Sequence, residues 1–295
     1  VSLQQRQQAI GWLFLAPSLA ILLLLGLYPL ARTFVVSLTD LRFASGEPGR
    51  WVGFSNYVAL WREDGFRAAA RNTALFAISS VGCEMLLGVA VALVLNSTFR
   101  FRGVLRAVVL IPWALPTVVS AKIWNYMLID TYGVVNDLLV TKLGLLEQKV
   151  AWLAEPGLAL AAVVAVDVWK TTPFVALMVL GGLQLIPRAL YEAAQVDGAS
   201  RWQQLVHITL PSLRPVLFVT IVFRTLDALR VFDVIWVMTR GQSGTESLAT
   251  YNYREMIDFR KLGSGSAVSV TILLIVSLFL VAYVIALRPG KDEVA

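Results

Sequence analysis

Cysteine is almost absent from this sequence. Cys83 is the only one in 295 residues, so no intrachain disulfide can form. It falls within an apolar run, where a small packed core residue is expected. Histidine is equally scarce: His207 stands alone, which excludes a histidine metal cluster, and it reads as a surface residue of a polar connection. Charge is thin as well, with 15% Asp, Glu, Lys and Arg against about a quarter in an ordinary soluble domain. With 58% hydrophobic residues, the chain is expected in a membrane. No G-x-x-x-x-G-K-S/T phosphate loop occurs, so ATP cannot be held in that manner. The absence of a G-x-S-x-G nucleophile turn and of an H-E-x-x-H zinc helix argues against an intramembrane enzyme. An ion-coupled carrier using Glu84, Asp167 or Asp227 as a proton site would be expected to show internal repeats, and none is seen. The net charge of +6 is dispersed, which suits anionic lipid headgroups and does not point to nucleic acid.

What is present is a succession of long apolar runs. A span needs about 20 mostly apolar residues to cross a hydrocarbon core of about 30 Å. Six stretches qualify: residues 10–31, 73–95, 107–127, 158–186, 216–238 and 267–287. The predicted fold class is all-α, a polytopic membrane protein of six transmembrane helices forming one domain over residues 1–295. The first run follows Arg6 as a secretory leader would. It is too long for one and ends without a small-x-small cleavage site, so it is kept as a span. Pro112 and Pro116 are expected to kink the third span. Arg100, Arg102 and Arg106 crowd a short connection with no acid nearby, which favours the cytoplasmic side and places both termini there. Trp51, Phe54, Tyr57, Trp61 and Trp152, in the outer connections, read as an interfacial belt.

Between the fourth and fifth runs lies a polar, glycine-punctuated loop, residues 187–214. Tyr191–Val196 is expected as a short helix opened after Pro187, with Glu192 in its first turns, where the helix dipole favours negative charge. Gly198 should end it in the left-handed region, and a second helix over Ser200–Ile208 should run only to Pro211. Glu192-Ala193-Ala194, then Asp197-Gly198, then Ile208-x-Leu210-Pro211 resembles, in order and spacing, the EAA motif of ATP-binding-cassette (ABC) importer permeases.

Other strings carry the likeness along nearly the whole chain. Val52-Gly-Phe-Ser-Asn-Tyr57, Arg102-Gly-Val-Leu-Arg106 and Ile111-Pro-Trp-Ala-Leu-Pro116 resemble segments of carbohydrate importer permeases. Val168-Trp-Lys-Thr-Thr-Pro-Phe174 and Arg224-Thr-Leu-Asp-Ala-Leu-Arg-Val-Phe-Asp233 look most like the trehalose-importing members, and next like the maltose-importing ones. The resemblance implies a multi-pass permease subunit in a bacterial plasma membrane, moving a disaccharide or oligosaccharide inward. It implies a second homologous permease, an extracytoplasmic sugar-binding protein, and two ATPase subunits that hold ATP and Mg, with no cofactor in this chain. It further implies that Glu192, Ala193, Ala194, Asp197, Gly198, Ile208, Leu210 and Pro211 form the contact with the ATPase. Glycerol phosphate or a phosphodiester stays open as cargo, since Lys170 and Arg224 could meet a phosphate.

Charges inside the runs need an explanation, because one at mid-bilayer costs about 2.5–3.5 kcal/mol on the insertion scale. Arg224, Asp227, Arg230 and Asp233 alternate in sign at i, i+3 spacing, where neighbours on a helix touch. On one continuous helix they would wind as a staircase, with Asp233 nearly opposite Arg224. Two readings stand open: ion pairs that fix helix packing, or groups lining a pathway. Lys170, Thr171 and Phe174 of the fourth run, with Arg224, Asp227, Ala228 and Val231 of the fifth, are the candidate solute contacts. Charged groups hydrogen-bond sugar hydroxyls, and an aromatic ring covers a sugar's C–H face. Pro173 is expected to break its helix and free a carbonyl. Glu84 could be protonated and interior-facing, and Lys122 could reach toward the outer interface. Neither is assigned a role.

Overall fold

The computed structural model describes residues 3–43, 46, 49–97 and 100–286. Leu287, the expected end of the last span, lies outside them. Helix α1 runs through Leu3–Ile21, a wider π turn at Leu22–Leu27 and Tyr28–Ser37 in unbroken succession. Ser55–Arg62 is α2, Asp64–Asn96 is α3, Arg102–Ala114 is α4 and Thr117–Met127 is α5. A short helix α6 joins Val134–Asn136 to Asp137–Lys142, and Leu158–Leu185 is α7. Arg188–Val196 is α8, and α9 runs through Arg201–Gln204, Leu205–Thr209 and Leu210–Ala228. Asp233–Met238 is α10, Leu248–Tyr253 with Arg254–Asp258 is α11, and Leu262–Ala286 is α12. Among the described residues, five helices are long and apolar enough to cross a membrane, and a sixth span exists if the bent pair α4–α5 counts as one.

Three expectations about proline need correction. Pro116 does not kink the third span; it divides it, and α4 and α5 meet at 92°. Steric conflict with the proline ring pushes Leu115 out of the helical region, to φ −74° and ψ 140°. Pro112, by contrast, sits inside α4, and Pro173 is carried inside an unbroken α7. Nor does Pro211 end a helix. Its missing N–H falls just after the π turn at Leu205–Thr209, where the widened ladder has already been re-routed, and the chain runs on to Ala228. The fifth span therefore stops ten residues before its expected end at Met238. Asp233 opens α10 with a negative charge in its first turn, which the helix dipole favours.

The described residues gather into two compact units, one of those up to residue 64 with 252–275 and one of residues 65–251 with those from 276 to 286. In the first, the Asn56 carboxamide donates to the carbonyls of Ser37 and Thr39 at 2.7 and 2.9 Å. The Tyr57 hydroxyl meets that of Ser37 at 2.6 Å, so α2 is fastened to the end of α1. Trp51, Phe54 and Trp61 are exposed, whereas Trp152, expected with them in a belt, is half-buried and donates its indole N–H to Asn136 Oδ1 at 3.0 Å.

In the second unit, α7 packs against α4, α5, α9 and α10. Two apolar clusters form there. One gathers Phe76, Val81, Val163, Val166, Ala228 and Ile235; the other gathers Ala92, Leu95, Val175, Val179, Leu183 and Leu213. Between these clusters, α3, α7 and α9 each bury polar side chains: Ser80 and Glu84, then Asp167, Lys170 and Thr171 beside Val168 and Pro173, then Thr220 and Arg224. A polar layer is thus held between two apolar ones. Cys83 is exposed, against the expectation of a packed core residue, because α3 buries the 80–84–88 stripe and position 83 lies about 100° away from it.

Lipid tails are as apolar as leucine, so helices in a membrane associate through close packing over small residues. Gly182 is such a contact: a Cβ there would lie 2.8 Å from a Val216 methyl and 2.9 Å from a methyl of fully buried Leu213. Its neighbour Gly181 has nothing within 4 Å. Gly182→Ala should therefore destabilise the protein by about 1–3 kcal/mol through overpacking. Gly181→Ala should stabilise it by about 0.5–1 kcal/mol through helix propensity alone. Thermal unfolding of the two detergent-solubilised variants, compared with the wild type, checks the opposite signs.

Candidate functional site

The polar layer follows from helical periodicity. Ser80 and Glu84 share a face of α3 at i, i+4, and Asp167, Lys170 and Thr171 share one of α7 at i, i+3, i+4. Arg224 of α9 reaches both. Its Nε donates to Glu84 Oε2 at 2.6 Å and its Nη2 to Glu84 Oε1 at 2.9 Å, a bidentate pair. Nη2 also lies 3.4 Å from Asp167 Oδ2, and Nη1 lies 3.4 Å from Asp227 Oδ2. Ser80 Oγ stands 2.7 Å from Glu84 Oε1 and 2.6 Å from Asp167 Oδ2, and Thr171 Oγ1 contacts Glu84 Oε1 as well. Glu84 is completely buried, and its carboxyl is surrounded by two guanidinium nitrogens and two hydroxyls. The expected interior-facing placement of Glu84 stands. Sequence reasoning gave Glu84 no role; its signal was Ser80 one turn away on the same span.

Beside this network lies a cavity of about 350 Å³. Lys170, Thr171, Arg224, Asp227, Ala228 and Val231, all expected at one site, line it together. Phe174 does not line it; its ring stacks on Trp113, which does, with centroids 6.1 Å apart and planes at 28°. Asp233 was expected nearly opposite Arg224. It lines the same cavity, because the helix ends at Ala228 and the turn through Arg230 and Phe232 folds α10 back toward it. The staircase of four charges on one helix is thus broken after its second member, although Arg230 Nη2 still lies 3.8 Å from Asp227 Oδ1. Trp113, Phe76 and Phe232 add aromatic surface that the sequence did not single out. Carboxylates and an ammonium around aromatic walls can hydrogen-bond hydroxyls and cover apolar C–H faces together.

The loop after α7 is ordered by its own backbone chemistry. Helix α8 begins at Arg188, three residues earlier than expected, since Pro187 presents a φ of −61° that suits a helix entry. Glu192 is consequently beyond the first turn, which contains no acid. Gly198 has φ +77°, as expected. The Ala199 N–H donates to the Ala194 carbonyl at 2.8 Å and the Gly198 N–H to the Gln195 carbonyl at 3.1 Å, the paired bonds of a Schellman termination. A capping box then opens α9: Ser200 Oγ accepts from the Gln203 N–H, and Gln203 Oε1 accepts from the Ser200 N–H at 2.8 Å. Tyr191 Oη and Thr209 Oγ1, 2.9 Å apart, tie α8 to α9, while Tyr191 and Ile208 pack on the second apolar cluster. Glu192, Ala193, Asp197 and Gly198 are exposed; Ala194, Ile208, Leu210 and Pro211 are half-buried. Val196 and Trp202 are 88% and 71% exposed, leaving apolar surface uncovered. His207 is exposed, as expected.

The profile of the family described as "Binding-protein-dependent transport system inner membrane component" matches residues 84–288. The chain belongs to that family. As a membrane component of a transport system it moves a solute and is not an enzyme. It is 42% identical over 295 residues to the trehalose/maltose transport system permease protein of Thermococcus litoralis, covering 98% of this chain and 97% of that one. It is 40% identical over 260 residues to the sulfoquinovosyl glycerol transport system permease protein of Agrobacterium fabrum, covering 88% and 83%. Among solved structures, a bacterial alginate ABC transporter crystallised with its alginate pentasaccharide-bound periplasmic protein contains a chain of the same fold. The TM-score is 0.85 at 24% identity, over 96% of this chain and 95% of that one.

Within this permease, breaking a buried ion pair from one side leaves a charge stranded, which costs on the order of 3 kcal/mol. Glu84→Ala should destabilise by about that amount, and adding Arg224→Leu should restore part of the loss. Thermal unfolding of the two single variants and the double variant measures the coupling; strictly additive losses would contradict the pairing.

Proposed function

We propose that this chain is the permease subunit of an ATP-driven ABC importer that carries trehalose or a maltose-like sugar into the cytoplasm. The observation that carries this reading is the cavity against the polar layer, where hydrogen-bonding groups and aromatic walls converge between α4, α7, α9 and α10. The relatives' names agree in class: one transports trehalose and maltose, another a sulfonated sugar glycoside, and the alginate transporter was captured with a saccharide-loaded periplasmic protein. Lys170, Thr171, Asp227 and Asp233 would hydrogen-bond the sugar, Trp113 backed by Phe174 would cover its apolar face, and Ala228 and Val231 would shape the wall. Arg224 lines the same cavity while its guanidinium is engaged by Glu84.

In this reading a second homologous permease completes the pathway, an extracytoplasmic binding protein delivers the sugar, and two ATPase subunits bind ATP and Mg. The loop at residues 187–214 faces the cytoplasm, as do both termini. Glu192, Ala193, Ala194, Asp197 and Gly198 form its contact with an ATPase, while Ile208, Leu210 and Pro211 anchor it to α9. The exposed Val196 and Trp202 supply apolar surface for such a contact. Because the Tyr191–Thr209 bond and the second apolar cluster fix the loop to α7 and α9, a push on it displaces helices that line the cavity.

Uptake of labelled trehalose and maltose into proteoliposomes holding the complete transporter tests this. Uptake should require ATP on the loop side and ignore a proton uncoupler; uptake driven by a proton gradient without ATP would overturn the reading. Gly198→Asp should leave the permease folded and lower uptake at least tenfold, because a φ of +77° strongly favours glycine and a charged side chain would be added to the exposed turn. Lys170→Ala and Asp227→Ala in assembled complexes should each lower uptake about tenfold or more; undiminished uptake would remove them from the pathway.

A further inference from the structure

We propose that the trough between α3 and α7 is a binding site for one acyl chain of a membrane lipid, inserted from the leaflet at the Leu75 end of α3. The trough is a cavity of about 740 Å³. Small side chains keep its floor low: Ser79 and Cys83 one turn apart on α3, and Gly157, Ala161 and Ala165 at four-residue spacing along the start of α7. Leu75, Leu87, Val164 and Trp169 wall it with apolar surface. Its one alcohol is engaged, since the Ser79 hydroxyl donates to the Leu75 carbonyl at 2.6 Å. A polar ligand finds no partner there.

A row of small residues is also how a neighbouring helix is seated. Length, direction and surroundings favour a lipid chain instead. From Leu75 to Leu87 the trough rises about 18 Å at 1.5 Å per residue, close to half of a hydrocarbon core of about 30 Å. It stops there because α3 and α7 close up: a Cβ on Gly88 would lie 2.4 Å from a Val175 methyl. A chain entering from one leaflet fits that length, whereas a membrane-crossing helix would overrun it. The trough also opens about 100° round α3 from the buried stripe at Phe76, Ser80 and Glu84, whose Phe76 lines the polar cavity. In the import reading a second permease completes that cavity, and so it seats on another face. Finally, the trough is continuous with bare apolar surface on the same helix, where Ile78 and Leu86 are 75% and 76% exposed. In a multi-pass membrane protein such surface meets acyl chains. A chain held in the trough braces α3 against α7, the two helices that the Ser80–Asp167 hydrogen bond joins.

Photolabelling of the assembled transporter tests this, in phosphatidylcholine vesicles where a fraction of the lipid carries a diazirine near the end of one acyl chain. Exposure alone favours labelling of Ile78 and Leu86 over half-buried Val164. A held chain reverses that order: Val164 should be labelled at least threefold more than either. Ala161→Phe, or Cys83→Phe if the first variant does not assemble, fills the trough and should bring Val164 down to the level of Leu86 or below. Labelling of Val164 no stronger than that of Ile78 and Leu86 in the wild type overturns the proposal, as does its absence, which would mean that protein covers the trough. An enrichment that neither substitution moves overturns it as well. Sugar uptake does not enter the measurement, so its outcome is separate from that of the import reading.

Discussion

The ion pair between Glu84 and Arg224 is the interaction on which the rest of the structure depends. Each group alone would be too costly to bury in the middle of a membrane bundle, and only a fully hydrogen-bonded pair makes the layer tolerable. The pair joins α3 to α9, Asp167 joins α7 to both, and Ser80 and Thr171 occupy the remaining positions around the carboxylates. Because polar groups stand at matching heights on three helices, sliding one helix past another would strand a charge against the apolar cluster on either side. The layer therefore sets the register of the helices that bound the cavity.

The same economy of pairing separates two kinds of charge that look alike in sequence. Arg224 and Lys170 are both buried cations lining one cavity. The guanidinium has acceptors within the protein on three sides, whereas the ammonium has none among the described residues. The first holds helices in place, and the second is the group that the import reading assigns to the solute.

The apolar runs were legible because a helix in hydrocarbon must be long and apolar, and α1, α3, α7 and α12 lie where that rule puts them, with ends shifted by a few to about ten residues. The turn at Gly198 was equally legible, since a left-handed φ strongly favours one residue type. Proline was where local rules failed. Pro116 divided a span that it was expected only to kink, and Pro173 and Pro211 were absorbed by helices that they were expected to break or end. Whether a missing N–H stops a helix depends on tertiary support and on a nearby π turn, neither of which is written in the local sequence. The cavity was partly legible: spacing placed Lys170, Thr171, Arg224 and Asp227 together. Glu84 was missed because its partner lies 140 residues away, and Asp233 was misplaced because the break after Ala228 leaves no mark in hydropathy.

The loop at 187–214 is joined to the polar layer by continuous packing. Tyr191 and Ile208 stand on the second apolar cluster, and that cluster abuts the layer through α7 and α9. A structure of the assembled transporter with sugar trapped in it tests the central claim most directly. The account predicts Arg224 still paired with Glu84 through Nε and Nη2, and sugar oxygens against Lys170 Nζ. An Arg224 guanidinium turned away from Glu84 onto the sugar, with Lys170 left unengaged, would contradict it.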